Sequence, residues 1–213
     1  MSIPVLIIGK SGSGKSASLR NFSQADIGVI NVLGKRFPFP GKLDTLVTDD
    51  YARVMAQIGT STRDVVVVDD AGYLITNQFM RGHSSTGAGN GIFAFYNQIA
   101  DNFWHMIDDV VRVKDNKRIY FLMHEEKNDM GDVKPKTIGK LLDEKICVEG
   151  LFTICLRATI RDGRHVFLTQ SDGFDVVKTP MGMFDKAEID NDLSYVDQRI
   201  CEYYGITEEA KTA

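Results

Sequence analysis

The sequence lacks a membrane-spanning run and has few cysteines. A transmembrane helix needs roughly 20 consecutive apolar residues, and no apolar stretch here approaches that length. The 3 cysteines, Cys147, Cys155 and Cys201, are odd in number and show no close paired spacing, which argues against a disulfide framework. Because no signal-peptide pattern precedes MSIPVLIIGK, we expect a protein of the reducing cytoplasm with no membrane partner.

An excess of positive charge is also missing. The chain has 25 Lys and Arg against 29 Asp and Glu, a formal net charge of -4, so it carries no global basic field of the kind found in many nucleic-acid binders. Local basic loops can still bind phosphates on such a surface. The histidines show no zinc-ligand spacing. At 213 residues the chain suits a single α/β domain over residues 1–213.

What the sequence does contain is a phosphate-binding loop. Residues 9–16 read GKSGSGKS, and they lie between an apolar strand candidate, residues 3–8, and a helix candidate that runs to about Phe22. Glycines let the backbone curl around phosphates, so that N–H groups of the loop and of the helix N-terminus point at the anion. Lys15 is then expected to reach the β- and γ-phosphates, and the Ser16 hydroxyl to ligate Mg²⁺. ATP is accordingly predicted to bind through Gly9, Lys10, Ser11, Gly12, Ser13, Gly14, Lys15, Ser16 and Ala17.

Acidic residues that could complete this site end the run VVVVDD. The four valines are typical of a buried parallel strand, and Asp69 stands where phosphate-loop proteins hold Mg²⁺ from a second side. Asp70 follows in the position of the carboxylate that orients the attacking water in many such ATPases, although it is one methylene shorter than the usual glutamate. His124 ends a later strand candidate and is a candidate sensor of the γ-phosphate. We predict Ser16 and Asp69 as metal ligands and catalytic roles for Lys15, Asp70 and His124.

The rest of the chain is predicted as strands and helices with two polar loops. Further strand candidates cover residues 27–32, 45–48 and 118–124, and helix candidates cover residues 49–59, 92–113 and 192–206. Residues 76–91, rich in Gly, Ser, Thr and Asn, and residues 126–140 are predicted as long mobile loops. The segments 151–160 and 164–170 flank RDGR, and Asp-Gly between two β-rich runs is a strong hairpin signal. The predicted fold is an α/β P-loop NTPase with a mainly parallel sheet flanked by helices and a C-terminal β-hairpin.

Three classes of phosphate-loop protein fit these motifs. Nucleoside and nucleotide kinases need an arginine-rich lid, whereas the arginines here are scattered. ATPases of the AAA+ type follow the core strands with a helical lid, for which too few helical residues remain after the hairpin. The order of a Mg²⁺ strand, a flexible loop, a long helix, a strand with a polar tip, a second flexible loop and a hairpin resembles the RecA core instead. In RecA-like recombinases those two loops hold single-stranded DNA.

A narrower resemblance rests on four stretches: VLIIGKSGSGKS, VVVVDDAGYL, KTIGKLLDEKICVEGLFTICL and TQSDGFDVVKTPMGMF. Together they resemble the AAA-type, RecA-like ATPases encoded by bacteriophages. The resemblance implies a RecA-like core, a role in single-strand annealing or recombination, and a homo-oligomeric ring or filament. It also implies that the two loops bind single-stranded DNA through Arg81, His83, Lys127, Lys134, Lys136 and Lys140. A neighbouring subunit would complete the nucleotide site with a cation, for which the candidates are Arg157, Arg161, Arg164 and, preferred among them, Lys178.

The sequence departs from RecA at the tip of its second strand. RecA has a water-activating glutamate there, and the corresponding NVLGKRFPF has no carboxylate, which leaves the base to Asp70 or to another residue. We expect a Mg²⁺-dependent ATPase that binds single-stranded DNA. The alternatives are a motor or loader ATPase that acts on a protein partner and a nucleotide binder that does not hydrolyse. Nothing in the sequence selects adenine over guanine, although the guanine-reading Asn-Lys-x-Asp pattern is absent.

Overall fold

The computed structural model describes residues 1–87, 89–114 and 116–206, which form one sheet with helices on both faces. The strands are β1 Ile3–Gly9, β2 Ile27–Asn31, β3 Asp44–Val47, β4 Val65–Asp69, β5 Arg118–Lys127, β6 Val133–Pro135, β7 Ile154–Arg161, β8 Arg164–Leu168 and β9 Glu188–Asp190. The α-helices are α1 Tyr51–Thr60, α2 Gly72–Gly82, α3 Asn90–Val110 and α4 Leu193–Tyr204. Short 3₁₀ turns lie at Ser16–Asn21 and Val148–Leu151, and one π turn at Leu141–Lys145. No helix in these described ranges is long and apolar enough to cross a membrane.

The sheet is mixed and mostly parallel. Its order is β3-β2-β4-β5-β1-β7-β8-β9, and β6 pairs antiparallel with the end of β5. The pairings from β3 across to β7 are all parallel, while β7–β8 and β8–β9 are antiparallel. Because the carboxyl ends of neighbouring parallel strands share one edge, the segments that follow β1, β4 and β5 meet there.

Both faces of the sheet are buried. Successive strand residues point to opposite faces, so Val66 and Val68 pack with α1, α2 and α3. Val65 and Val67 pack on the other side with α4 and with Leu19 of the first 3₁₀ turn. Burial on both faces is the physical reason that β4 is a continuous run of valines.

Most of the predicted elements are confirmed. The strand candidates at residues 3–8, 27–32 and 45–48 correspond to β1, β2 and β3, and the long central helix and the C-terminal helix are α3 and α4. Asp162 and Gly163 take positive φ angles of 49° and 76° in the turn between β7 and β8, as a two-residue Asp-Gly hairpin turn requires. The predicted helix after the phosphate loop is only a short 3₁₀ turn, Ser16–Asn21. The sequence patterns did not predict β9 or the π turn.

The predicted mobile loop at residues 76–91 is wrong, because its first half continues α2. Leu74 and Ile75 of this helix are buried. The ring of Phe79 stacks on Tyr96 of α3 with 5.5 Å between centroids. These apolar residues follow helical spacing, and their packing against α3 outweighs the glycine-rich and polar composition that suggested a loop.

The second predicted loop, residues 126–140, is also wrong at its start. β5 continues through Lys127, and Glu126 lies opposite Lys134 in the antiparallel pairing with β6. Asn128 closes the turn, since its Oδ1 accepts the backbone N–H of Asp132 at 2.8 Å. The start of this predicted loop is therefore a β-hairpin that continues the strand of His124.

A buried ion pair joins α4 to β5. Nε and Nη2 of Arg118 each donate to a carboxylate oxygen of Asp197 at 3.0 Å. The Tyr120 hydroxyl donates to the same carboxylate at 2.6 Å. Burial alone would lower the pKa of Arg118, but the bonds to Asp197 outweigh it and raise the pKa. Three donors thus compensate one buried carboxylate and fix α4 on the sheet.

We expect Asp197→Asn to lower the free energy of unfolding by about 3 kcal/mol, because it leaves the Arg118 guanidinium buried without its counter-ion. Urea unfolding followed by circular dichroism measures the change. Asp101→Asn, which alters an exposed carboxylate on α3, is the control and is expected to change stability by less than about 0.5 kcal/mol. Equal effects of the two substitutions would contradict the role of the ion pair.

Candidate functional site

The predicted phosphate-binding loop, residues 9–16, begins where β1 ends. Gly9 pairs with His124 of β5 on one side and with Ala158 of β7 on the other. A Cβ at Gly9 would lie 2.6 Å from the carbonyl oxygen of Ala158 and closer still to Ser13 Oγ, so only glycine fits. Gly14 has a φ of 99°, which favours glycine as well. The conformation of the loop therefore requires glycine at positions 9 and 14, as the spacing predicted.

Lys15 lies inside the loop that carries it. Its Nζ donates to the carbonyl oxygen of Gly9 at 2.7 Å and to that of Lys10 at 2.8 Å. Burial lowers the pKa of Lys15 to about 8, while the nearby carboxylates of Asp70 and Asp69 oppose the shift. The ammonium group is thus held at the centre of the loop, where a bound phosphate chain would be wrapped.

Ser16 and Asp69, the two predicted Mg²⁺ ligands, are hydrogen-bonded to each other. Ser16 Oγ donates to Asp69 Oδ1 at 2.8 Å. Burial and the neighbouring charge of Asp70 raise the pKa of Asp69 to about 6, against the bond from Ser16. In the described part of the chain there is no cluster of three or more His, Cys, Asp or Glu side chains that could hold a metal by itself. Such a pair suits Mg²⁺, which takes one or two protein ligands and completes its shell with water and phosphate oxygens.

Asp70 lies beside Asp69 and is equally buried, with 4% of its surface exposed. Its φ of 60° is uncommon for a residue other than glycine. The residue lies where the chain leaves β4 before α2. Lys35 Nζ contacts Asp70 Oδ2 at 2.6 Å, and His124 Nε2 lies 3.6 Å from Asp70 Oδ1. The carboxylate predicted to orient water is therefore held between a lysine and the predicted sensor histidine.

His124 lies within β5 and not at its end as predicted, because pairing with β6 continues the strand to Lys127. It pairs with Gly9 at the start of the loop. Burial, helped by the positive charge of Lys15, lowers the pKa of His124, so the imidazole is neutral at neutral pH. Its ring meets Tyr73 of α2 edge-to-face with 5.8 Å between centroids. A neutral imidazole at this point can donate one hydrogen bond and accept another.

A cavity of about 370 Å³ opens in front of the loop. Its walls include Lys10 and Ser11 of the loop, Lys35 after β2, His124 of β5 and Lys136 after β6. This volume is within the ordinary range of a small-molecule site. The lysines on its walls make it suited to anionic groups.

Residues near the loop that the sequence patterns missed include Lys35, His165 and Asn191. A Cβ at Gly14 would lie 2.9 Å from Asn191 Oδ1 and 3.0 Å from His165 Nδ1, so β8 and the segment after β9 enclose the loop. No local pattern marks these two residues. Lys35 has a weak signal, because Asn31 and Gly34 predict a turn at the tip of β2.

The predicted DNA-binding residues are divided between two regions. Lys127 and Lys134 lie on the β5–β6 hairpin, and Lys134 Nζ is 3.2 Å from Glu126 Oε1. Lys136 lies on the cavity wall, and Lys140 precedes the π turn. Arg81 and His83 instead lie at the end of α2. Arg81 Nη2 pairs there with Asp49 Oδ2 at 2.5 Å, and His83 stacks on Phe79.

The candidates for a trans-acting cation lie on or after the β7–β8 hairpin. Arg157 is engaged within its own chain, by Glu125 at 2.8 Å and by Asp175 at 3.6 Å. Arg161 and Arg164 lie opposite each other at the exposed turn. Lys178 forms backbone hydrogen bonds with Cys155 in both directions. Their roles toward a neighbouring subunit stay predictions.

Comparison with known proteins assigns no family to the chain. No model of a known protein family matches the chain, and no curated protein matches it.

The raised pKa of Asp69 predicts a stability cost at the site. Because the folded pKa of about 6 lies above the ordinary value of 3.8, the folded protein binds this proton more tightly than the unfolded chain does. The free energy of unfolding should fall as pH rises from about 4 to about 6, and the cost is present in full above that range. Asp69→Asn should consequently stabilise the protein at neutral pH by about 1–3 kcal/mol in the presence of a divalent-metal chelator.

Urea unfolding of the wild type and Asp69→Asn across this pH range tests the linkage. The difference should shrink as the pH falls toward 4, since the wild-type carboxyl then takes up its proton. Asp44→Asn, at an exposed position on β3, is the matched control without such a trend. If the stability difference between the wild type and Asp69→Asn did not depend on pH, titration of Asp69 would not be its cause.

Proposed function

We propose that this chain is a Mg²⁺-dependent ATPase of the P-loop NTPase class with a RecA-like core. The observation that carries the proposal is the convergence of Lys15, Ser16 and Asp69 at the carboxyl edge of the parallel sheet. The loop spacing, the Ser16–Asp69 bond of 2.8 Å and the buried ammonium of Lys15 support it together. Each is what binding of a magnesium–triphosphate complex requires.

In this proposal each side chain has a distinct task. Lys15 neutralises charge on the β- and γ-phosphates, and Ser16 and Asp69 hold Mg²⁺. The metal, when bound, neutralises charge that develops on the phosphates. Asp70 accepts a hydrogen bond from the attacking water and orients it. His124 contacts the γ-phosphate side of the site and also neighbours Asp70 at 3.6 Å.

The hairpin after β7 favours a RecA-like core over an ATPase of the AAA+ type. The last parallel strand, β7, leads into the antiparallel β8 and β9, and α4 is the only α-helix of the described residues beyond them. That order supports a RecA-like core over an AAA+ helical lid. The scattered positions of the arginines argue against a kinase lid.

We further propose that the protein binds single-stranded DNA as a homo-oligomer and supports annealing or recombination. The β5–β6 hairpin, which carries Lys127 and Lys134, continues the strand of His124, so a change at the γ-phosphate can be transmitted along one strand. Lys127, Lys134 and Lys136 supply phosphate neutralisation there. The alternative is a motor or loader ATPase whose partner is a protein.

The first test is steady-state ATP hydrolysis with Mg²⁺, with and without a long single-stranded DNA. We expect DNA-stimulated hydrolysis, and we expect Lys15→Ala to reduce it by about 100-fold or more, because a buried cation on the transferring phosphate is lost. Lys42→Ala, an exposed lysine on the β2–β3 connection, is the control. Hydrolysis that survives Lys15→Ala would contradict the proposed site.

Charge reversal on the hairpin separates a DNA partner from a protein partner. We expect the double variant Lys127→Glu and Lys136→Glu to weaken binding of single-stranded DNA by about tenfold or more at low salt and to flatten the salt dependence, because phosphate contacts release counterions. Fluorescence anisotropy measures both quantities. The control double variant, Lys42→Glu and Lys186→Glu, has the same charge change at exposed sites away from the hairpin. Unchanged binding would favour the protein partner.

A further inference from the structure

The turn after β2 presents a lysine to a buried carboxylate. Lys35 Nζ is 2.6 Å from Asp70 Oδ2, and the Asp70 side chain is only 5% exposed. Burial alone would lower the pKa of Lys35, but the bond to Asp70 outweighs it and raises the pKa. The contact is therefore a charged pair at the wall of the cavity that also holds Lys10 and Ser11 of the phosphate loop.

Asn31 fixes the turn from which Lys35 projects. Its buried amide donates from Nδ2 to the carbonyl oxygen of Lys35 at 2.7 Å and accepts the N–H of Gly34 at 2.8 Å. Gly34 has a φ of 66°, which completes the turn. The backbone of Lys35 is thus anchored, while its side chain remains 60% exposed. Because the backbone is anchored and the four-carbon side chain is flexible, the ammonium group can move between neighbouring partners.

Resting on the proposed ATPase function, we propose that Lys35 is a cis-acting cation that distinguishes a nucleoside triphosphate from a diphosphate. Lys35 holds Asp70 until a triphosphate binds. It then moves to the terminal phosphate and releases Asp70 to orient water. Asp70 is thereby kept from acting until the third phosphate is present.

Charge and position favour this exchange. A terminal phosphate carries more negative charge than one carboxylate and offers three acceptor oxygens. It would be held by Lys15, and Lys35 lines the cavity that opens beside the loop of Lys15. A diphosphate ends one phosphate short, so it offers Lys35 no competing partner. Lys35 should therefore contribute to binding of the triphosphate alone.

The test compares the affinities of ADP and of a non-hydrolysable β,γ-imido triphosphate analogue by isothermal titration calorimetry with Mg²⁺. We expect Lys35→Ala to weaken the triphosphate analogue by about tenfold and ADP by less than about twofold, because one charge-assisted hydrogen bond to the terminal phosphate is lost. Lys35→Arg should retain the preference for the triphosphate. Lys42→Ala is the matched control, since it removes an exposed lysine from the same connection.

For a second variant we expect the affinity for the triphosphate analogue to change in the opposite direction. Asp70→Asn removes the partner that Lys35 must leave, so the triphosphate analogue should bind a few-fold more tightly and ADP should be unchanged. In the Lys35→Ala background the same substitution should have no effect on either nucleotide. Tighter binding in both backgrounds, or in neither, would overturn the exchange.

The outcomes separate this proposal from the one on which it rests. If the wild type binds neither nucleotide, or if Lys15→Ala binds both as the wild type does, the nucleotide site is overturned and the role of Lys35 with it. If the wild type binds nucleotides and Lys35→Ala weakens both equally, or neither, only the role of Lys35 is overturned. A loss for the triphosphate alone supports both.

Discussion

Two adjacent carboxylates, those of Asp69 and Asp70, are buried where β4 ends, and the surrounding site compensates them. Each residue is 4% exposed, and a buried charge is costly unless it is paired or hydrogen-bonded. Ser16 donates to Asp69, Lys35 pairs with Asp70, and Lys15 acts on both through its charge. The raised pKa of Asp69 shows that this compensation is incomplete. The remaining cost is one that a bound cation would remove.

The partners of these carboxylates are brought together by the register of the parallel sheet. Asn31 lies opposite Asp69 in the β2–β4 pairing, and Gly9 lies opposite His124 in the β1–β5 pairing. The turn after β2, the phosphate loop and the His124 region of β5 consequently meet at the same edge of the sheet. A slip of one residue would turn every side chain of a strand to the other face. The two apolar cores, one on each face, therefore fix the geometry of the site as well as the fold.

Sequence patterns predicted the parts of this arrangement that are encoded locally. The phosphate loop and the valine strand before Asp69 each depend on residues within about ten positions, and so does the Asp162–Gly163 turn. Helix α2 was missed because its polar residues suggested a loop, whereas its packing depends on Tyr96 of α3. Long-range strand pairing likewise determines the contact between Lys35 and Asp70, so the spacing of residues in the sequence does not predict it.

Under the proposed function, Lys35 gives a physical reason for the absence of a carboxylate from the segment that follows β2. With Asp69 and Asp70 already buried side by side, a glutamate on the β2 turn would add a third negative charge to the same enclosed space. With a lysine there instead, the two negative charges of Asp69 and Asp70 face two positive charges, those of Lys15 and Lys35. If Asp70 is the water-orienting group, as proposed, that carboxylate lies at the end of β4 and not on the turn after β2. The cation at the turn fits that arrangement, because it places a positive charge 2.6 Å from the buried Asp70 carboxylate.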